Sequence, residues 1–195
     1  MPRAPTPCLY TNPVEELDNK PRVSRRRRIR SVVLNVALFA AVFIAITTWQ
    51  SRNMLDTGGE AAPGLRGTTL TGESYDLGNA GDRPALVYFF APWCKICAAS
   101  AGNLDRLRRW RDESELEMVA VALGWDEAEE VRDYVERHDL DLPVVLGDSE
   151  VARDWQIYAF PSYYVLDSEH RITRRDIGYS SQLGLLWRAW TVDWH

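Results

Sequence analysis

Cysteine is scarce in this chain, with three residues in 195, and histidine is equally scarce. Three cysteines cannot build the framework of several bridges that staples small secreted domains. A structural zinc site usually draws four Cys or His ligands. Here Cys8 stands alone in the N-terminal tail, reading as an idle thiol, and His138, His170 and His195 are scattered, so no metal is expected. Internal repeats are also missing. Basic charge is thin where a globular part belongs: residues 50–195 carry fifteen Lys/Arg against twenty-five Asp/Glu, a net of −10, whereas residues 1–30 carry eight against three, a net of +5. Binding of nucleic-acid phosphates needs a basic face, so no nucleic-acid partner is expected. Twenty-one of the twenty-three basic residues are Arg, which fits GC-rich coding better than any function.

The chain has room for one ordinary domain and an appendage. Residues 1–30 are Pro-rich and basic, and their composition predicts a disordered tail. Arg25 to Arg28 and Arg30 close it, and the run Ser31–Trp49 (SVVLNVALFAAVFIAITTW) that follows holds no charged residue. At about 1.5 Å rise per residue such a run approaches a hydrocarbon core of about 30 Å. It is therefore expected to be one transmembrane signal-anchor helix over 31–49, with Trp49 at its far interface. The basic flank predicts a cytoplasmic N-terminus and a domain on the outer, periplasmic side of a bacterial inner membrane. The apolar stretch is long for a cleaved signal peptide. Ser24–Arg30 partly resembles a twin-arginine export signal, but Arg28 replaces its large apolar residue, and the arginines are read as setting topology. Residues 50–66, with Gly58, Gly59, Pro63 and Gly64, read as a linker, and 67–195 as the folded domain.

Within that domain the pattern is α/β. A short hairpin is predicted around Thr71-Gly72, from Thr68–Leu70 and Ser74–Leu77. Ala85–Phe90 is a continuous apolar run suited to a buried strand. A helix over Cys94–Trp110, a strand over Leu116–Leu123, a helix over Glu127–His138 and a strand over Pro143–Leu146 follow. A short helix over Glu150–Trp155, an antiparallel pair over Ser162–Asp167 and Arg171–Gly178, and a closing helix over Ser180–Trp190 complete a sheet covered on both faces.

The chemistry concentrates in Ala91-Pro92-Trp93-Cys94-Lys95-Ile96-Cys97, where a buried strand meets a helix. A cysteine at a helix N-terminus faces unpaired N–H groups and the positive end of the dipole, which favour thiolate over thiol. Cys94 is expected to be the exposed nucleophile that attacks a partner disulfide, and Cys97, one turn inward, to resolve the mixed disulfide. Lys95 is either an aid to Cys94 ionisation or an ordinary solvated lysine. No cofactor is called for beyond the redox-active Cys94–Cys97 pair.

These residues, with Phe160-Pro161-Ser162 some sixty positions on and the strand Tyr163–Asp167, resemble the thioredoxin superfamily. The hairpin before the first buried strand, the anchor and the longer middle segment resemble its membrane-tethered TlpA/ResA/DsbE branch. The ending Gly178–Trp190 is similar to the copper-sensitivity-suppressor D (ScsD-like) group of protein disulfide oxidoreductases. The resemblance implies a thioredoxin fold with a central mixed sheet flanked by helices, and a cis Phe160–Pro161 bond beside the sulfurs. It also implies a substrate groove in which Phe160 presents its backbone and Trp93 forms a wall. It implies an enzyme that exchanges electrons with disulfides or thiols of exported proteins, mostly in the reducing direction, in the context of cytochrome c maturation or tolerance of copper or oxidative stress. A membrane donor of DsbD/CcdA type would then replenish it. Two departures stand out: Tyr88 occupies the position of a buried acid in thioredoxins, and Ser100 that of a Glu in ResA-type reductases. Water or a tyrosine hydroxyl such as Tyr88 or Tyr163 would have to serve instead. The Lys-Ile dipeptide leaves direction open, so an oxidase or isomerase of the same fold is an alternative. A Cu(I)-binding module is another, since soft sulfur suits that ion, although copper carriers of this fold use a longer cysteine spacing and a downstream His.

Overall fold

Ala85–Phe90 is the central strand (β3) of the structure, a computed structural model that describes residues 25–51 and 54–190. The tail residues before Arg25, Cys8 among them, lie outside the described residues. The chain divides into two units that meet between Ala45 and Ile46. In the first, a helix α1 spans Arg25–Ser51 and continues past the boundary. Its described side chains from Ile29 to Phe43 are all exposed, including Phe39 at 75% and Phe43 at 68%. The membrane span expected over 31–49 is not met within the described residues, none of whose helices is long and apolar enough to cross a membrane.

The second unit is built on a five-stranded sheet. After the hairpin β1 (Arg66–Thr68) and β2 (Ser74–Asp76) come β3, α2 (Lys95–Trp110), β4 (Glu117–Ala122), α3 (Ala128–Arg137) and β5 (Val144–Leu146). Then follow α4 (Ser149–Asp154), β6 (Ser162–Leu166), β7 (Ile172–Ile177) and α5 (Gln182–Trp190). The order β5-β4-β3-β6-β7 is mixed: β3 pairs parallel with β4 and antiparallel with β6, and β7 pairs antiparallel with β6. The predicted elements thus form, with ends displaced by one or two residues.

All six residues of β3 are buried, because both faces of the sheet are covered. The two-residue period of a strand sends Leu86, Tyr88 and Phe90 to one core with the cysteines, α2 and α3. Ala85, Val87 and Phe89 point to the other, with Trp155 and Tyr164. Local sequence sets the helices: Asp148 caps α4 by accepting from the N–H groups of Glu150 and Val151 at 2.9 Å. Glu129 and Glu130 sit in the first turn of α3 and Arg137 in its last, matching the helix dipole.

The stretch read as a linker is, from Met54 onward, laid against the sheet. Met54 is 3% and Leu65 0% exposed. Leu55 N–H donates to the Tyr164 hydroxyl at 3.3 Å, and Arg175 donates to the carbonyls of Met54 and Leu55. Ala62 N–H meets the His170 carbonyl at 2.9 Å and Ile172 N–H the Glu60 carbonyl at 3.1 Å, along the outer side of β7. The hairpin flanks β5 on the opposite side, with Leu70 N–H on the Val144 carbonyl at 2.7 Å. Gly67 allows that approach, since a Cβ there would stand 2.8 Å from Val145 Cγ1.

The buried tyrosines make stability sensitive to alkali. Burial pushes the Tyr134 and Tyr164 phenols up to about 12, the latter against the opposing Leu55 N–H and Arg175 charge. Burial and then Glu117, which accepts from its hydroxyl at 3.0 Å, raise Tyr75 as well. Above the ordinary value near 10 the unfolded chain releases protons that the folded chain keeps, so stability falls as pH rises through that range. The loss is about 1.4 kcal/mol per pH unit for each such tyrosine. Denaturant midpoints are expected to drop steeply between pH 10 and 12, with part of the tyrosinate absorbance gained only on unfolding. Full tyrosinate absorbance in a chain still folded would refute this.

Candidate active site

Where β3 ends, Cys94 N–H returns to the Ala91 carbonyl at 3.0 Å, and this turn delivers Cys94 to the N-cap of α2. Its backbone is extended (φ −80°, ψ 106°), and its Sγ accepts the Cys97 N–H at 3.1 Å. The sulfur therefore occupies the place that a serine or aspartate oxygen takes at other helix starts. Cys94 and Cys97 are joined as a disulfide, with Cα atoms 5.2 Å apart. When the bond opens, the same N–H and the helix dipole favour a thiolate on Cys94.

Cys94 is less open than the sequence suggested: it is 7% exposed, against 0% for Cys97. Its access is a cleft of about 420 Å³ lined by Trp93, Cys94, Lys95, Ile96, Tyr158, Ala159 and Phe160. The Phe160–Pro161 bond is cis. The loop around it is pinned from both sides: Ser162 Oγ donates to the Ala159 carbonyl and Gly178 N–H to the Pro161 carbonyl, each at 2.8 Å. The structure thus brings together Trp93, Cys94, Lys95 and Phe160 on one cleft, with Cys97 behind it.

Trp93 lines the cleft and is held there. Its Nε1–H donates to the Gly124 carbonyl at 2.8 Å, and its ring meets Phe160 edge to face, centroids 5.7 Å apart. Gly124 has φ +63°, a left-handed conformation that glycine adopts at no cost. Lys95 points to solvent and has no ion-pair partner among the described residues. Ile96, at 51% exposure, and Tyr158, at 48%, complete an apolar rim that sequence reasoning missed. Tyr158 lies two positions before Phe160, a cue that was available.

Behind the sulfurs, Ser100 turns its hydroxyl onto the Ile96 carbonyl at 3.0 Å, a bond within its own helix. Tyr88 is fully buried and donates to the Cys97 carbonyl at 3.3 Å. Its ring lies 5.0 Å from Tyr163 and 5.6 Å from Phe90, which in turn stacks on Tyr134 at 4.7 Å. Tyr134 was not singled out by the sequence.

Comparison with known proteins agrees with this geometry. The AhpC/TSA family model matches residues 58–175. The chain is 28% identical over 154 residues to the thiol-disulfide oxidoreductase ResA of Oceanobacillus iheyensis, covering 76% of this chain and 80% of that one. It is 27% identical over 124 residues to the thioredoxin-like protein YneN of Bacillus subtilis, covering 62% and 71%. A thioredoxin-family thiol:disulfide interchange protein of Chlorobium tepidum superposes with a TM-score of 0.64 at 19% identity, over 71% of this chain and 99% of that one. With a family match over more than half its length and a bonded cysteine pair at the head of α2, the chain belongs to the AhpC/TSA family as a thioredoxin-like thiol–disulfide oxidoreductase.

Proposed function

We propose that this oxidoreductase works in the reducing direction, on disulfides of exported proteins, while held at the outer face of a bacterial inner membrane. The observation that carries the reading is the Cys94–Cys97 disulfide opening onto an apolar cleft beside the cis Phe160–Pro161 loop. A partner segment laid in that cleft brings its own sulfur to Cys94. Two electrons then pass from the Cys94/Cys97 dithiol to the partner disulfide through a mixed disulfide.

The reducing direction draws support from the tethered branch that the sequence resembles. Anchoring draws support from the uncharged run Ser31–Trp49 behind its arginines and from α1, which exposes apolar side chains such as Leu34, Leu38, Phe39 and Phe43 on all sides. A helix apolar all round belongs in a membrane or inside a larger core. Electrons would then come through the membrane from a donor of DsbD/CcdA type, and the C-terminal pattern Gly178–Trp190 points to the copper-sensitivity-suppressor D group.

Equilibration of the reduced chain with glutathione tests direction. A reductase of this kind should settle well below about −150 mV. A value at or above that figure would make the chain an oxidase. Protease added to intact spheroplasts should digest residues beyond the run while sparing the N-terminus; the opposite pattern would reverse the topology.

A further inference from the structure

Cys97 must lose its proton before it can resolve a mixed disulfide, because the thiolate is the nucleophile, yet it is fully buried. The hydrophobic cluster that holds Cys97 also holds the phenols of Tyr88 from β3, Tyr163 from β6 and Tyr134 from α3, and Cys94. Of these phenols, Tyr88 donates its hydroxyl to the Cys97 backbone carbonyl. That bond, at 3.3 Å, is long for an O–H···O contact, ordinarily about 2.7–2.8 Å. Its acceptor carbonyl also serves the ladder of α2. That carbonyl thus holds the hydroxyl only weakly while the disulfide is closed, beside the residue that becomes charged when it opens.

We infer that Tyr88 is the hydrogen-bond donor to the resolving sulfur: its hydroxyl turns from the Cys97 carbonyl to the Cys97 thiolate once the disulfide opens. Burial, with Tyr163 and Tyr134 around it, raises this phenol far above its ordinary value, so it keeps its proton and acts as a donor, never as a base. In the resolving step Cys97 yields its proton to water and its thiolate attacks Cys94 Sγ. The Cys94–Cys97 bond forms, the bond from Cys94 to the partner breaks, and the electron pair leaves on the partner sulfur, which takes a proton from water. The partner has gained two electrons and two protons, the enzyme dithiol has lost them, and Tyr88 is unchanged. A donor that eases ionisation by one pH unit raises the thiolate population about tenfold and lowers its nucleophilicity about threefold, a net gain of about threefold.

The test uses the full chain with Cys8→Ser, reduced and mixed with 5,5′-dithiobis(2-nitrobenzoate). The first thiolate released reports attack by Cys94 and the second reports resolution by Cys97. Tyr88→Phe should slow the second phase at neutral pH about threefold and move its pH midpoint up by about one unit, leaving the first phase unchanged. An unmoved second midpoint in Tyr88→Phe would overturn the assignment. So would slowing of both phases together.

Discussion

Replacing Cys97 by alanine is expected to turn the enzyme into a trap. Cys94 keeps its place at the head of α2, its capping N–H and its access to the cleft, so it still attacks a partner disulfide and forms the mixed disulfide. With the sulfur one turn inward removed, only an outside thiol can release the partner. Turnover should fall at least about a hundredfold, while an adduct that collapses under reductant accumulates on a non-reducing gel. Cys94→Ser in the same Cys8→Ser background should lose turnover and adduct together. Adduct formation in the Cys94→Ser chain would place the nucleophile elsewhere, and the absence of adduct in Cys97→Ala would remove the case for covalent exchange through Cys94.

The second large effect concerns the opposite face of the sheet. Trp155, just past α4, is fully buried, with its ring 5.3 Å from Phe89 and 5.4 Å from Tyr164. Its carbonyl accepts the Tyr164 hydroxyl at 2.8 Å, and that hydroxyl in turn accepts the Leu55 N–H. Trp155→Ala should cost about 3–5 kcal/mol, transfer and cavity terms together. That is a large share of the roughly 5–15 kcal/mol available to a domain. Trp155→Phe should cost less than half as much. It keeps most of the ring volume and removes an indole N–H that is buried without a hydrogen-bond partner, a group whose burial costs about 1–3 kcal/mol. Urea unfolding of the two variants checks this, and an alanine variant within about 1 kcal/mol of the parent would show that the site collapses to fill the space.

The strand Ala85–Phe90, the helix after Cys94 and the antiparallel pair at the end were legible because each combines an unbroken apolar or periodic run with clear punctuation. The redox pair was legible because two cysteines at that spacing, at a strand-to-helix junction, have few other uses. The cis bond before Pro161 came from resemblance, since nothing local in Phe160-Pro161-Ser162 distinguishes it from a trans bond. What stayed hidden depends on side chains distant in sequence. Met54 and Leu65 are lone apolar residues amid Gly and Pro, with no period to announce that they pack beneath β7. Cys94 shares its cleft with Phe160, more than sixty positions on, and the Tyr88 bond depends on which face of β3 looks toward α2. Both required the register of the sheet, which no single segment carries.

An open sheet carries a hazard at its outermost strands, which a neighbouring chain can extend. The segment around Glu60–Ala62 beside β7 and the hairpin beside β5 occupy the backbone groups at which such stitching would begin. Deleting residues 54–65 would therefore unfasten one selvedge of the fabric and invite copies to knit together.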